Sequence, residues 1–272
     1  MNHYNKSGQH SFCHTLKPVL DLGATVGLWT YFTLGFVVLF SPLYLAAWLV
    51  AKNRETSFQR LNHKFYRGFF FLARIFIPGH KWRIPDQIRS IRSAVIVCNH
   101  VSYLDPLVLI SLFERHKTIV KSTFFKVPIF GRMLLLSGYI PSASEGSLSQ
   151  VMIQRMETME PYLASGGNLF IFPEGTRSRG GTIGPLNRGA FKIARLCRAP
   201  VVVLKIYNTN KLFEPGKFLF NACANDAIRV EQLARIHPDY ESNTFAISEL
   251  MSRVRTLLES PDIKKPDGVK KS

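Results

Sequence analysis

Ser93-Ala94-Val95-Ile96-Val97-Cys98-Asn99-His100-Val101-Ser102-Tyr103-Leu104-Asp105-Pro106 is the stretch that decides the architecture. Its first six residues are nearly all apolar, with β-branched side chains at their centre. An apolar run without alternation marks a strand covered on both faces. Asp105-Pro106, followed by an apolar run, reads as a helix start with Asp as N-cap and Pro at the first helical position. A helix is therefore expected over 106–115. Strand, tight loop and helix together make half of a βαβ unit.

The same grammar extends outward. Further strands are expected over 118–121, 168–172 and 201–207, with one or two more inside 217–230. Helices are expected over 148–163, closed by Ser165-Gly166-Gly167, and over 189–198 and 247–258. Apolar strands alternating with helices define an α/β fold, a mostly parallel or mixed sheet covered by helices. Residues 79–262 are expected to form this domain, and 263–272, rich in Lys and Pro, a disordered basic tail.

Upstream the chemistry is different. No charged residue stands between Asp21 and Lys52. An uncharged run over 23–50 exceeds the roughly 20 residues a bilayer span needs. Pro42 and three glycines interrupt it, so a kinked span and a hairpin entering one leaflet are both open. Lys52, Arg54, Arg60, Lys64, Arg67 and Arg74 follow it, against Lys6 and Lys17 before it. For a single span that bias places the C-terminal bulk in the cytoplasm, at the inner membrane. A helix over 60–78, with a basic stripe and many phenylalanines, is expected to lie in the headgroup layer. Residues 1–78 are thus read as a polar lead-in plus membrane-associated helices.

The formal charge is +17, from 35 Lys and Arg against 18 Asp and Glu. Anionic partners follow: membrane lipids, phosphorylated substrates or an acidic carrier protein. Nucleic acid is not expected, because the basic residues form no recognition module. Cys13, Cys98, Cys197 and Cys223 are scattered without a CxxC pair, so free thiols are expected and no metal site.

Two constellations follow strands, where α/β sheets gather their ligands. Asn99 to Asp105 places a His five residues before a carboxylate, a spacing that suits a general base and its orienter. Phe170 to Arg179 (Phe-Ile-Phe-Pro-Glu-Gly-Thr-Arg-Ser-Arg) offers a permissive glycine and forked donors for a phosphate.

Asn-His-x-x-x-x-Asp, followed some seventy residues later by Phe-Pro-Glu-Gly-Thr-Arg-Ser, resembles the lysophosphatidic acid acyltransferase family of glycerolipid acyltransferases. The resemblance implies that fold, with His100 as general base and Asp105 as its partner. It places acceptor binding on Lys121, Glu174, Gly175, Thr176, Arg177 and Arg179. It implies a fatty acyl group moving from acyl-CoA or acyl-carrier protein to the sn-2 hydroxyl of 1-acylglycerol-3-phosphate, giving phosphatidic acid, with no cofactor. Where the family carries an Arg in its second block, this chain has Ser144. Lys121, Arg177, Arg179 or Arg188 would then compensate, or the acceptor is another lysolipid such as a lyso-aminolipid. A non-catalytic lipid-binding membrane protein on the same fold is the remaining alternative.

Overall fold

The computed structural model describes residues 5–142, 146–178 and 182–261, with side chains from residue 16 onward. In chain order the elements are helix α1 (Asn5–Thr30), a wide-turn π segment (Tyr31–Phe40), α2 (Ser41–Val50) and α3 (Arg54–Phe76). Then come β1 (Trp82–Arg83), α4 (Asp86–Arg89), β2 (Ala94–Cys98), α5 (Leu104–Leu112), β3 (His116–Lys121), α6 (Ser122–Phe125), α7 (Phe130–Leu136) and β4 (Ile140–Ser142). The chain continues with α8 (Ser147–Glu157), α9 (Met159–Ala164), β5 (Asn168–Ile171), α10 (Gly189–Leu196), β6 (Val201–Tyr207), α11 (Thr209–Leu212), β7 (Ile228–Ile236) and α12 (Ile247–Glu259).

One seven-stranded sheet has the order β1-β7-β6-β2-β5-β3-β4. β6, β2, β5, β3 and β4 are parallel, so their carboxyl ends share one edge. β7 runs antiparallel to β6, with a bulge beside Val203 and Leu204. Alternate residues of the central strands enter two cores. Ala94, Ile96, Cys98, Phe170, Val202 and Leu204 face α3 and α5. Val95, Val97, Leu169, Ile171, Val201 and Val203 face α9, α10 and α12. Burial on both faces is why these strands read as unbroken apolar runs.

Three expectations change. The helix over 148–163 is two helices, α8 and α9, parted at Thr158. Pro161 lacks an N–H, and its ring clashes with the carbonyl four residues earlier, which ends a continuous helix there. The strand expected within 217–230 starts at Ile228 and runs to Ile236, where charged residues alternate with apolar ones. Cys98 and Cys197 are buried free thiols, but Cys223 is disulfide-bonded. Sequence spacing gives no view of such a pairing. The basic tail over 263–272 lies outside the described residues.

The N-terminal helix continues through the π segment with αR geometry at both junctions, so no hairpin turn falls within 23–50. The wide turn ends at Ser41, whose N–H donates to Phe36 O, five residues back. Widening just before Pro42 accommodates a residue that cannot join a regular ladder. The fold-back comes after residue 50. α3 runs antiparallel against this helix, with Tyr31 Oη donating to Phe65 O (2.8 Å) and Tyr44 Oη to Asn62 Oδ1 (2.6 Å). Phe65, Phe69 and Phe70 of α3, expected to face lipid, are buried within the chain, while Phe71, Ile75 and Phe76 remain exposed.

Candidate active site

β2 delivers Asn99 and His100 to the carboxyl edge. The Asn99 side chain imitates a peptide group. Its Nδ2 donates to Ile206 O (2.9 Å), and its Oδ1 accepts from Ile206 N (2.7 Å). These bonds prolong the β2–β6 ladder and fix where the next residue emerges.

His100 Nδ1 lies 2.9 Å from Asp105 Oδ2. That oxygen also accepts from the N–H groups of Val101 (2.6 Å) and Ser102 (2.7 Å). Oδ1 accepts from Thr209 Oγ1 at 2.5 Å. Asp105 is fully buried, and four donors surround its carboxylate. It is not the N-cap of α5. Tyr103 holds that position and Asp105 falls inside the first turn. Its carboxylate turns back to the loop because His100, Val101 and Ser102 offer convergent donors. An ionised carboxylate only accepts, so His100 Nδ1 carries the proton and Nε2 keeps its lone pair. The His100 side chain is 17% exposed. Phe172 stacks on the imidazole, with ring centroids 4.3 Å apart.

The second constellation braces the first. Glu174 Oε1 accepts from the His100 N–H (3.1 Å), and Oε2 accepts from the Gly184 N–H (2.9 Å). Glu174 thus ties the His100 loop to both halves of the β5–α10 loop, and a carboxylate cannot itself attract a phosphate. Ser178 donates to His100 O through its N–H (2.7 Å) and Oγ (3.0 Å). Gly175 has φ +66°, a left-handed conformation where a Cβ would strain the turn. Its N–H donates to Phe172 O (3.1 Å) and is therefore not offered to an oxyanion. Thr176 is exposed. Arg177 donates to Tyr103 Oη (2.7 Å), with its guanidinium carbon 3.5 Å from the ring centroid. Tyr103 and Arg177 thereby stand together beside the His100 loop.

Lys121 is exposed at the carboxyl end of β3. The register pairs Thr118 with Phe170 and Lys121 with Ser142 of β4, so Lys121 ends β3 level with Pro173, beyond the end of β5. Arg179 and Ser144 lie outside the described residues. Sequence reading missed Thr209, Ser178 and the stacking role of Phe172. The last two sat inside the quoted motif. Thr209 lies 104 residues from Asp105 without a local signal.

Cys98, two residues before His100, is a buried thiol. Burial, and then the Asp105 charge, push its thiol well above the usual range. Among the described residues no three His, Cys, Asp or Glu side chains cluster to hold a metal.

The Acyltransferase family model matches residues 80–207, the stretch that carries this oriented imidazole at the carboxyl edge of the α/β sheet. The chain is also similar to 1-acyl-sn-glycerol-3-phosphate acyltransferases. A chloroplastic one from Brassica napus is 36% identical over 167 residues, 58% of this chain and 47% of that protein. The beta form from Homo sapiens is 31% identical over 157 residues, 54% of this chain and 55% of that protein. The chain thus spans about half the length of these curated relatives. The fold also matches the crystal structure of the 1-acyl-sn-glycerophosphate acyltransferase PlsC from Thermotoga maritima. The TM-score is 0.64 at 18% identity, covering 88% of this chain and 94% of that one.

Proposed function

We propose that the chain is a membrane-bound acyltransferase that converts 1-acylglycerol-3-phosphate to phosphatidic acid, with acyl-CoA or acyl-carrier protein as donor. The observation that carries this is the His100–Asp105 pair, held by four donors to a buried carboxylate. The likeness to 1-acyl-sn-glycerol-3-phosphate acyltransferases supports the choice of acceptor.

In this reading His100 Nε2 takes the proton of the sn-2 hydroxyl as its oxygen attacks the thioester carbonyl. Asp105 holds the tautomer and stabilises the imidazolium. The tetrahedral intermediate then collapses. The C–S bond breaks, the proton passes from His100 to the departing thiolate, and the ester remains. Transfer is direct, because Cys98 is buried and uncharged. Glu174 and Ser178 position the His100 backbone, and Phe172 limits rotation of its ring. Arg177 and Lys121 supply the positive charge for the acceptor phosphate, with Arg177 steadied against Tyr103. Arg179 keeps the same assignment from its place in the motif.

The long apolar helix and basic surface support a seat on the cytoplasmic face of the inner membrane. Acyl transfer by the detergent-solubilised protein tests the reading, with labelled acyl-CoA and acyl-carrier protein and a panel of lysolipids. His100→Ala is expected to lower turnover by about 10²–10⁴-fold. Wild-type turnover in that variant would overturn the assignment. Transfer confined to a lyso-aminolipid would keep the mechanism and move the substrate.

A further inference from the structure

The amino-terminal edge of the sheet carries a cavity of about 320 Å³ that the acyl-transfer chemistry does not use. Arg67 and Arg74 from α3, Arg89 from α4 and Arg92 from the turn into β2 all line it. Two separate stretches of chain, 67–74 and 89–92, bring these guanidinium groups together, so no single helix pattern accounts for their meeting. β2 lies between this cavity and His100, about 16 Å of strand at the usual rise.

The four arginines are poorly compensated. Among the described residues Arg67 has no hydrogen-bond or ion-pair partner. Arg74 sits over the Trp82 ring at 5.0 Å. Arg89 reaches only Asp86, at 3.8 Å, and that carboxylate is fully exposed. Arg92 donates to the carbonyl oxygens of Arg89 (2.6 Å) and Ile91 (2.7 Å), which carry no formal charge. One carboxylate, Glu114, lines the cavity; it is exposed and, among the described residues, forms no ion pair. Partial burial first, and the neighbouring Arg89 charge second, lower the Arg74 pKa. Trp82 Nε1, on the same wall, is buried without a partner among the described residues.

We propose that this cavity binds a phosphate group, from a lipid headgroup or from free phosphate, at a site separate from His100. Guanidinium groups match phosphate oxygens in pairs, and a concave lining lets several of them converge on one anion. One bound phosphate would offset the mutual repulsion of the arginines. Phe71, which lines the cavity, and Ile75 and Phe76 further along α3 are exposed, an apolar border that suits a headgroup with its chains in the bilayer.

The full-length protein in detergent is titrated with inorganic phosphate and read by calorimetry. Flotation then compares phosphatidylcholine vesicles with vesicles that also contain phosphatidylglycerol. Arg67→Gln with Arg89→Gln is set beside Arg60→Gln with Lys64→Gln, which removes the same charge from α3 outside the cavity. The cavity pair is expected to weaken binding about tenfold or more, because it deletes two charge-assisted hydrogen bonds to the phosphate. The control pair is expected to weaken it much less. Saturable binding of inorganic phosphate that the cavity pair weakens identifies free phosphate as a sufficient source. A response confined to the mixed vesicles identifies the headgroup. Equal weakening by both pairs would reduce the effect to diffuse charge and overturn the site, as would unchanged binding in the cavity pair. Arg67→Gln alone removes an unpaired guanidinium and serves if the double variant misfolds. Acyl transfer is not part of the readout, so failure of this site leaves the catalytic assignment untouched.

Discussion

At the residue scale, Asp105 shows how one side chain acquires its role from its surroundings. Its carboxylate is buried, yet every donor near it points inward, so charge there is stabilised rather than expelled. Asp105→Asn keeps the shape but replaces one acceptor oxygen with a donor, which opposes the Nδ1–H tautomer of His100. Turnover is expected to fall by about 10²-fold or more with KM little changed, checked by steady-state kinetics in detergent. His116 behaves in the opposite way. It is fully buried, bonded through Nδ1 to Phe113 O and through Nε2 to Tyr139 Oη, and burial lowers its pKa from 6.5 to about 3. The unfolded chain therefore binds a proton between about pH 6.5 and 3 that the folded chain does not. Stability is full above 6.5 and declines by about 1.4 kcal/mol for each pH unit below it. His116→Gln is expected to flatten that acid limb in urea unfolding followed from pH 7 to pH 4. An unchanged limb would refute the assignment.

At the element scale, three segments meet through Glu55. Its carboxylate bridges Lys117 on β3 (2.8 Å) and Arg155 on α8 (2.7 Å), while Lys117 Nζ lies 4.2 Å from the Tyr162 ring centroid. Lys117 is 2% exposed, and burial lowers its pKa while the Glu55 contact opposes the shift. Glu55→Gln leaves a buried ammonium without its counter-charge. The expected loss is about 2–3 kcal/mol, below the fully buried case because Glu55 is a quarter exposed. Equilibrium unfolding measures it, and Glu55→Gln with Lys117→Met is expected to recover part. The same bridge docks the N-terminal helical pair onto the sheet. Arrangement of the N-terminal helices and stability of the α/β domain are thereby linked.

At the scale of the whole molecule, one helix, Leu16–Val50, is long and apolar enough to cross a membrane among the described residues. Only 6% of its apolar window is covered by the rest of the chain, which is not how a core helix behaves. Its 35 residues reach about 52 Å, longer than a hydrocarbon core of about 30 Å. Its start is tied to the loop between α11 and β7, through Lys17 and Asn221 (2.7 Å) and through Asp21 and the Ala222 N–H (2.7 Å). Val38 lies on the uncovered side, 66% exposed. Val38→Lys puts a charge there that costs about 2.5–3.5 kcal/mol at the centre of a bilayer. Flotation with vesicles is expected to fall sharply, while turnover in detergent on a short-chain acceptor stays near wild type. Undiminished flotation would place Val38 outside the membrane.

The central architecture was legible because its causes are local. β2, β5 and β6 bury both faces, so each reads as an apolar run, and the loops after β2 and β5 carry their motifs within a few residues. β7 escaped because its Arg229, Glu231 and Arg235 break the apolar run, and β1 because two residues leave no period to read. The amino acid sequence by itself determined the alternation of strand and helix, the uncharged N-terminal helix, and the placing of His100 and Glu174 just beyond strands. Tertiary structure alone decided that Asp105 serves the imidazole rather than a helix end, that Thr209 completes its shell, and that Glu174 braces the loops. It also decided that four arginines from two distant stretches of chain share one cavity. These are matters of distance between residues far apart in the chain, and one-dimensional spacing carries no information about which side chains converge once the sheet has aligned its carboxyl ends.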